Sequence, residues 1–284
     1  MRSSARIWRR RSTAISRDSE QRSERQHRLP APLGKKRSPN APPQPARAPR
    51  HGLARAISKL GVCSRSQAAK WIGEGRVAVN GRLVHDPELP IDAMRDRIAI
   101  DGANVAVRER IYLMLNKPRG VVTSAADERG RETVYALLAD AALPWLAPIG
   151  RLDKASEGLL LLTNDSVWAA RITAPESHLD KIYHVQIDRR PDVALLAALR
   201  DGIDDHGERL AVKSARELRH GDKNAWLEIV LDEGRNRQIR RILAAFGIGV
   251  LRLVRVAVGE LALGTLAKGA WRKLDGDEVA RLAR

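Results

Sequence analysis

Four consecutive leucines, Leu159 to Leu162, constrain this chain more than any other stretch. The run is short, apolar and bounded by turn residues, with Gly158 before it and Thr163-Asn164-Asp165 after it. That is the pattern of a strand buried on both faces. Asp165 stands where an N-cap belongs, just ahead of a helix expected over Ser166 to Ile172. Before the strand runs Pro148-Ile149-Gly150-Arg151-Leu152-Asp153-Lys154-Ala155-Ser156-Glu157, so Asp153 is carried on a loop leading into rigid core, with Arg151 two residues away. Two readings fit Asp153: a turn former with a local ion pair, or a reactive carboxylate held still by the strand behind it.

The flanking segments give the fold class. Ile111 to Asn116 reads as a strand, Lys117-Pro118-Arg119-Gly120 as its turn and Val121 to Ser124 as a returning strand, with a helix over Thr133 to Leu138. Leu179 to Asp188 alternates, placing Tyr183, Val185 and Ile187 on one face. A helix over Pro191 to Arg200 ends before Gly202, and Arg209 to Leu218 and Ala225 to Leu231 read as strands. Glu233-Gly234-Arg235-Asn236-Arg237-Gln238-Ile239-Arg240-Arg241 leads into a helix whose apolar stripe is Ile239, Ile242, Leu243 and Phe246. On that helical wheel Arg240 borders the stripe, whereas Arg237 and Arg241 point away from it. Val250 to Val258 and Trp271 to Leu274 are further strands, and Asp275 caps a last helix. Strands joined by short turns and flanked by helices indicate an α+β domain with a mainly antiparallel sheet, over residues 109–284.

A smaller module precedes it, over residues 51–108. Leu53, Ile57 and Leu60 share a helical face closed by Gly61, and Ser64 with Gln67 forms a capping box for a second helix carrying Ala68, Ala69 and Ile72. Val77-Ala78-Val79, Asn80-Gly81 and Arg82-Leu83-Val84 read as a tight hairpin, and Arg97 to Ile100 as a strand turning at Asp101-Gly102. Six basic residues (Arg55, Lys59, Arg65, Lys70, Arg76, Arg82) face one acid, Glu74, within residues 51–84. Taken singly each is an ordinary solvated charge. Six on so small a module indicate a polyanionic partner. Residues 1–50, with 14 Lys/Arg against 3 Asp/Glu and several prolines, read as a disordered basic tail, a transit peptide or the product of a mis-assigned start. They supply +11 of the chain's net charge of +17. The single cysteine, Cys63, excludes a disulfide framework and a Cys-rich zinc site, and reads as a small buried residue. No apolar run approaches the ~18 residues of a membrane span, so a soluble, cytoplasmic chain is expected.

Gly150-Arg151-Leu152-Asp153, Glu157-Gly158-Leu159-Leu160 and Thr163-Asn164-Asp165 together resemble the central motif of the RsuA/RluB family of ribosomal RNA pseudouridine synthases. Asn116-Lys117-Pro118-Arg119-Gly120 is similar to the element that precedes that family's catalytic loop, and residues 51–100 resemble an S4-type RNA-binding domain. The resemblance implies a small S4-type domain followed by a pseudouridine synthase domain. It implies an isomerase that breaks a uridine's glycosidic bond, turns the base and rejoins it through carbon 5. Such chemistry needs an ionised carboxylate as nucleophile, a group to take the carbon 5 proton and a cation beside the carboxylate. Asp153 matches the family's essential aspartate. Tyr183, in Lys181-Ile182-Tyr183, matches the tyrosine that stacks on uracil and serves as general base, against the alternative of an ordinary core tyrosine. Arg240 matches the arginine that pairs with the aspartate. Arg151 matches the residue that displaces the target base, or else forms a salt bridge to Asp153. Arg237 and Arg241 are read as phosphate contacts or solvated charges, beside Arg55, Lys59, Arg65, Lys70 and Arg76 on the first module. No cofactor and no metal are implied. The partner is ribosomal RNA or a ribosomal precursor particle, with no membrane, and the chain is expected to be a monomer. A large-subunit 23S target is favoured by Arg119-Gly120-Val121-Val122 and Glu233-Gly234-Arg235-Asn236. The alternatives are a 16S enzyme and a non-catalytic S4-type assembly factor.

Overall fold

The structure, a computed structural model, describes residues 51–92, 95–106, 108–124, 130–139 and 141–283. The expected basic tail over residues 1–50 lies outside the described residues. The first module packs α1 (Leu53–Lys59) and α2 (Arg65–Gly73) on a sheet of β1 (Val77–Val79), β2 (Arg82–Leu83), β3 (Ile98–Ile100) and β4 (Ala103–Asn104), in the order β2-β1-β3-β4. Ser64 accepts the backbone N–H of Gln67 at 3.0 Å and so starts α2. Asn80 and Gly81 both have positive φ, 52° and 81°, which is what a two-residue hairpin turn requires. Leu53, Ile57, Cys63, Ala68, Ile72, Val77 and Ile98 fill the core.

The second domain is built on a nine-stranded sheet. In chain order its main elements are β5 (Tyr112–Lys117), β6 (Glu157–Thr163), α3 (Ser166–Thr173), β7 (Lys181–Ile187), α4 (Val193–Asp201), β8 (Ser214–His220), β9 (Ala225–Leu231), α5 (Gln238–Ala245), β10 (Val250–Val258), β11 (Trp271–Lys273) and α6 (Gly276–Leu282). The main path runs β8-β9-β7-β10-β6-β5-β11. Every pairing in it is antiparallel except β6 with β10, which is parallel. The leucine strand β6 is buried along its whole length. Leu160 and Leu162 join the core with Leu113, Leu115 and Leu152, whereas Leu159 and Leu161 meet Trp168 and Ile172 of α3. Each buried leucine stabilises the fold by roughly 1.5–3 kcal/mol, as an upper range. Val185, Leu227, Ile229 and Leu253 form a third core with Leu199 of α4 and Ile239, Ile242 and Leu243 of α5.

One edge of β6 changes partner partway. Gly158 pairs with Arg255 of β10, but Leu161 to Thr163 pair with the short segment Ala147–Ile149. The Asp153 loop, residues 150–156, connects Ile149 to Glu157 at this change-over. Glu157 is buried and bonded to Arg252 and Lys268. Burial pushes its pKa up, but the two cations outweigh this and hold it below the usual carboxylate value.

Three sequence expectations are corrected. Val121–Ser124 does not return along β5, whose neighbours are β6 and β11. Gly120, at φ 99°, instead turns the chain beneath the Asp153 loop. The helix expected over Thr133–Leu138 shrinks to one turn, Ala136–Leu138, because the Glu132 carbonyl and the Val134 N–H both bond Val122. Arg209–Leu218 is broken: Glu208–Leu210 forms a hairpin with Ile203–Asp205, and β8 begins only at Ser214.

Gly158 has φ 101°, and a Cβ there would lie 2.2 Å from the Arg255 carbonyl oxygen. Gly158→Ala therefore forces β6 and β10 apart. Denaturant unfolding is expected to show a loss of about 2 kcal/mol or more, and an unchanged midpoint would contradict this account of the crossing.

Candidate active site

The Asp153 loop has no regular structure of its own, yet each carbonyl from Leu152 to Ser156 accepts a hydrogen bond. Thr123 Oγ1 donates to Leu152 at 2.8 Å, Gly120 N to Lys154 at 2.7 Å and Arg240 Nη2 to Ala155 at 3.1 Å. The remaining two, Asp153 and Ser156, are taken by Lys117 Nζ at 3.1 and 2.8 Å. The Lys117 ammonium completes its set of three donors on the Pro118 carbonyl at 3.0 Å. Its side chain is fully buried, and that burial lowers the pKa from 10.5 to about 8. Asp153 and Glu157 oppose that shift.

Register places a second group of residues. Tyr183 on β7 stands opposite Arg255 on β10, Arg255 opposite Gly158 on β6, and Gly158 opposite Lys117 on β5. Directly opposed residues share a sheet face, so Tyr183, Arg255 and Lys117 form a row across four strands. A bulge in β10 falls at Val256, which leaves Leu253, Arg255 and Val258 toward the same side. Above this row lies a cleft of about 600 Å³, lined by Arg151, Asp153, Lys181, Tyr183, Arg237, Arg240 and Arg255, with an apolar wall that includes Ile149, Leu161 and Ile172. Its size suits a nucleotide-scale ligand.

The Asp153 side chain is 34% exposed, with Arg237 Nη1 at 3.4 Å from its Oδ2. The expectation that Arg240 makes this pair, while Arg237 points outward, is corrected. Arg237 lies one residue before α5 in the left-handed conformation, φ 50°, so helical-wheel geometry does not apply to it. Arg240 instead reaches the loop backbone at Ala155 and keeps a buried Nε with no partner among the described residues. Burial and the Arg237 charge lower its pKa, and Asp153 raises it. Arg240 thus feels the carboxylate without touching it.

Arg151 is exposed at the cleft wall. Arg241 stands apart: it bonds Asp205 at 2.5 Å and Glu208 at 2.7 Å, because the Ile203–Leu210 hairpin turns both acids toward α5. On the first module Arg76 is bidentate to Asp101 and lies over Trp71, so its guanidinium serves the module's own packing. Arg65 makes an exposed pair with Glu88, Lys59 bonds His51, and Arg55 and Lys70 are exposed. Sequence reasoning did not single out Lys117, Lys181 or Arg255. Alternation on β7 would have placed Lys181 beside Tyr183, but nothing local marks Lys117 or Arg255 as buried. Among the described residues no three His, Cys, Asp or Glu are grouped so as to hold a metal.

Comparison with known proteins agrees with this architecture. A family model described as RNA pseudouridylate synthase matches residues 111–245, and an S4 domain model matches residues 52–96. An uncharacterized RNA pseudouridine synthase of Aquifex aeolicus is 38% identical over 228 residues, covering 80% of this chain and 91% of that protein. The ribosomal large subunit pseudouridine synthase B of Bacillus subtilis is 36% identical over 233 residues, covering 81% and 94%. A crystal structure of a pseudouridylate synthase aligns with TM-score 0.58 at 33% identity, over 83% of this chain and all of that one.

Proposed function

Because this chain belongs to the RNA pseudouridylate synthase family, with an S4 domain ahead of its synthase domain, we propose that it converts a specific uridine of ribosomal RNA to pseudouridine with Asp153 as nucleophile. The observation that carries this is the meeting of the Asp153 carboxylate, the Arg237 guanidinium and the Tyr183 ring at one nucleotide-sized cleft. The uridine leaves its stack and rests on Tyr183. Asp153 attacks and forms a covalent bond to the nucleotide, the bond from N1 to C1′ breaks, the uracil turns, and C5 bonds to C1′ with the bond to Asp153 broken. The C5 proton passes to the Tyr183 oxygen as the Tyr183 hydroxyl proton is relayed to N1, so the product is an isomer of the substrate with Asp153 and Tyr183 both regenerated. Arg237 balances the carboxylate, Arg240 braces the loop from behind, and Arg151 is placed at the rim to fill the gap in the stack.

The S4 domain supports a structured RNA partner, and the large-subunit name of the Bacillus relative supports a 23S target. No helix among the described residues is long and apolar enough to cross a membrane. Arg55, Lys59, Arg65 and Lys70 are the phosphate contacts we assign to the module. The exposed Arg65–Glu88 pair costs little to exchange for phosphate.

Asp153→Asn is expected to abolish pseudouridine formation while RNA binding survives. Mapping pseudouridine in ribosomal RNA from a deletion strain complemented with this variant checks it, and a restored site would refute the nucleophile. Arg237→Gly should relieve the left-handed backbone and raise stability by up to ~1 kcal/mol while turnover falls. Loss of both together would mean that Arg237 is a structural residue. Neutralising Arg55, Lys59 and Arg65 together should flatten the dependence of log affinity on log salt by about 0.7–0.9 for each phosphate left without its cation, and an unchanged slope would exclude this face from the RNA interface.

A further inference from the structure

Two cations in the cleft have no role in the scheme above. Lys181 and Arg255 both line it, one on either side of the β7–β10 seam. Arg255 is only 7% exposed, and its Nε donates to the Leu159 carbonyl at 2.7 Å. Lys181 Nζ donates to the Asp232 backbone carbonyl at 3.1 Å. Among the described residues neither is within ion-pair distance of a carboxylate, although other cations at the cleft are matched: Arg237 by Asp153, and Arg235 by Glu233 and Glu208. Asp180, next to Lys181, is committed to Lys213 at 2.7 Å. Asp232 lines the cleft near Lys181 and offsets part of its charge without bonding its ammonium. The two cations also repel each other: burial and the Arg255 charge both lower the Lys181 pKa. Two partly desolvated like charges held together with Asp232 and Asp180 offsetting only part of the charge, and no carboxylate within ion-pair distance among the described residues, are costly unless a ligand supplies a counter-ion.

Their position identifies the ligand. Lys181 lies two residues before Tyr183 on the same face of β7, about 7 Å away along the strand, and Arg255 is directly opposite Tyr183. The base-to-phosphate reach of a nucleotide is comparable. We propose that Lys181 and Arg255 form a phosphate subsite that grips the phosphodiester of the flipped nucleotide whose base lies on Tyr183. The proposal rests on the uridine reading above. It gives the cleft a means of holding the backbone fixed while the base turns.

The test compares uridine 5′-monophosphate, uridine and inorganic phosphate as ligands of the full chain, by calorimetry and by the phosphorus resonance. The monophosphate is expected to bind about tenfold or more tightly than uridine. Lys181→Gln and Arg255→Lys should each reduce that advantage, and Lys181→Arg should keep it, with unfolding midpoints recorded for every variant. With unmodified ribosomal RNA, Lys181→Gln should lower the log–log salt slope by about 0.7. The proposal falls if uridine and its monophosphate bind the wild type equally, if Lys181→Gln retains the advantage, or if inorganic phosphate alone binds as tightly as the nucleotide. Pseudouridine formation by the wild type is scored separately. Its absence removes the uridine reading, whereas its presence without a monophosphate advantage removes the subsite alone.

Discussion

Burying the Lys117 ammonium at the end of a core strand is the interaction on which the Asp153 loop depends. Desolvating that charge is unfavourable, as its lowered pKa shows. Three carbonyls compensate, and two of them belong to residues 153 and 156. With Thr123, Gly120 and Arg240 taking the other three carbonyls, the loop is fixed from outside as a helix is fixed from within. Asp153 therefore needs no secondary structure beneath it to be held in one place. The carboxylate itself makes the 3.4 Å contact to Arg237, while the backbone carries most of the positioning bonds.

The division of labour between Arg237 and Arg240 follows from the same logic. A guanidinium placed on a helix can be aimed only within the limits of the helix. Arg240 has that constraint and ends on the Ala155 carbonyl. Arg237 escapes it by taking the left-handed conformation before the helix begins, which brings its Nη1 to the carboxylate. Strain at that backbone position is tolerated where it serves a site. The two arginines thus hold the loop at two levels, one through the main chain and one through charge.

Much of this was legible in the residues. The leucine run, its cap at Asp165, the alternation around Tyr183 and the amphipathic stripe of α5 each rest on a local period or on local capping chemistry. The fold reproduces them, with β6 buried throughout and Asp165 accepting from Val167 and Trp168. What was not legible is non-local. The wheel misplaced Arg237 because that residue precedes the first helical residue, Gln238, and takes the left-handed conformation. The burial of Lys117 and Arg255 depends on which strands become neighbours, and no window of sequence contains that information. Val121–Ser124 has the composition of a strand, but the Thr123 hydroxyl is taken by the Leu152 carbonyl and the Val122 backbone by residues 132 and 134, not by the sheet.

The parallel pairing of β6 with β10 has a consequence for how the molecule is made. β10 is among the last strands of the chain, and it supplies Arg255, whose bond to Leu159 spans 96 residues of sequence. Arg240, which holds Ala155, is 85 residues downstream of it. A growing polypeptide therefore carries the Asp153 loop long before the parts that orient it exist. The first module, whose core is drawn from residues 53–105, can be complete much earlier. Synthesis order alone separates the ability to hold RNA from the ability to alter it.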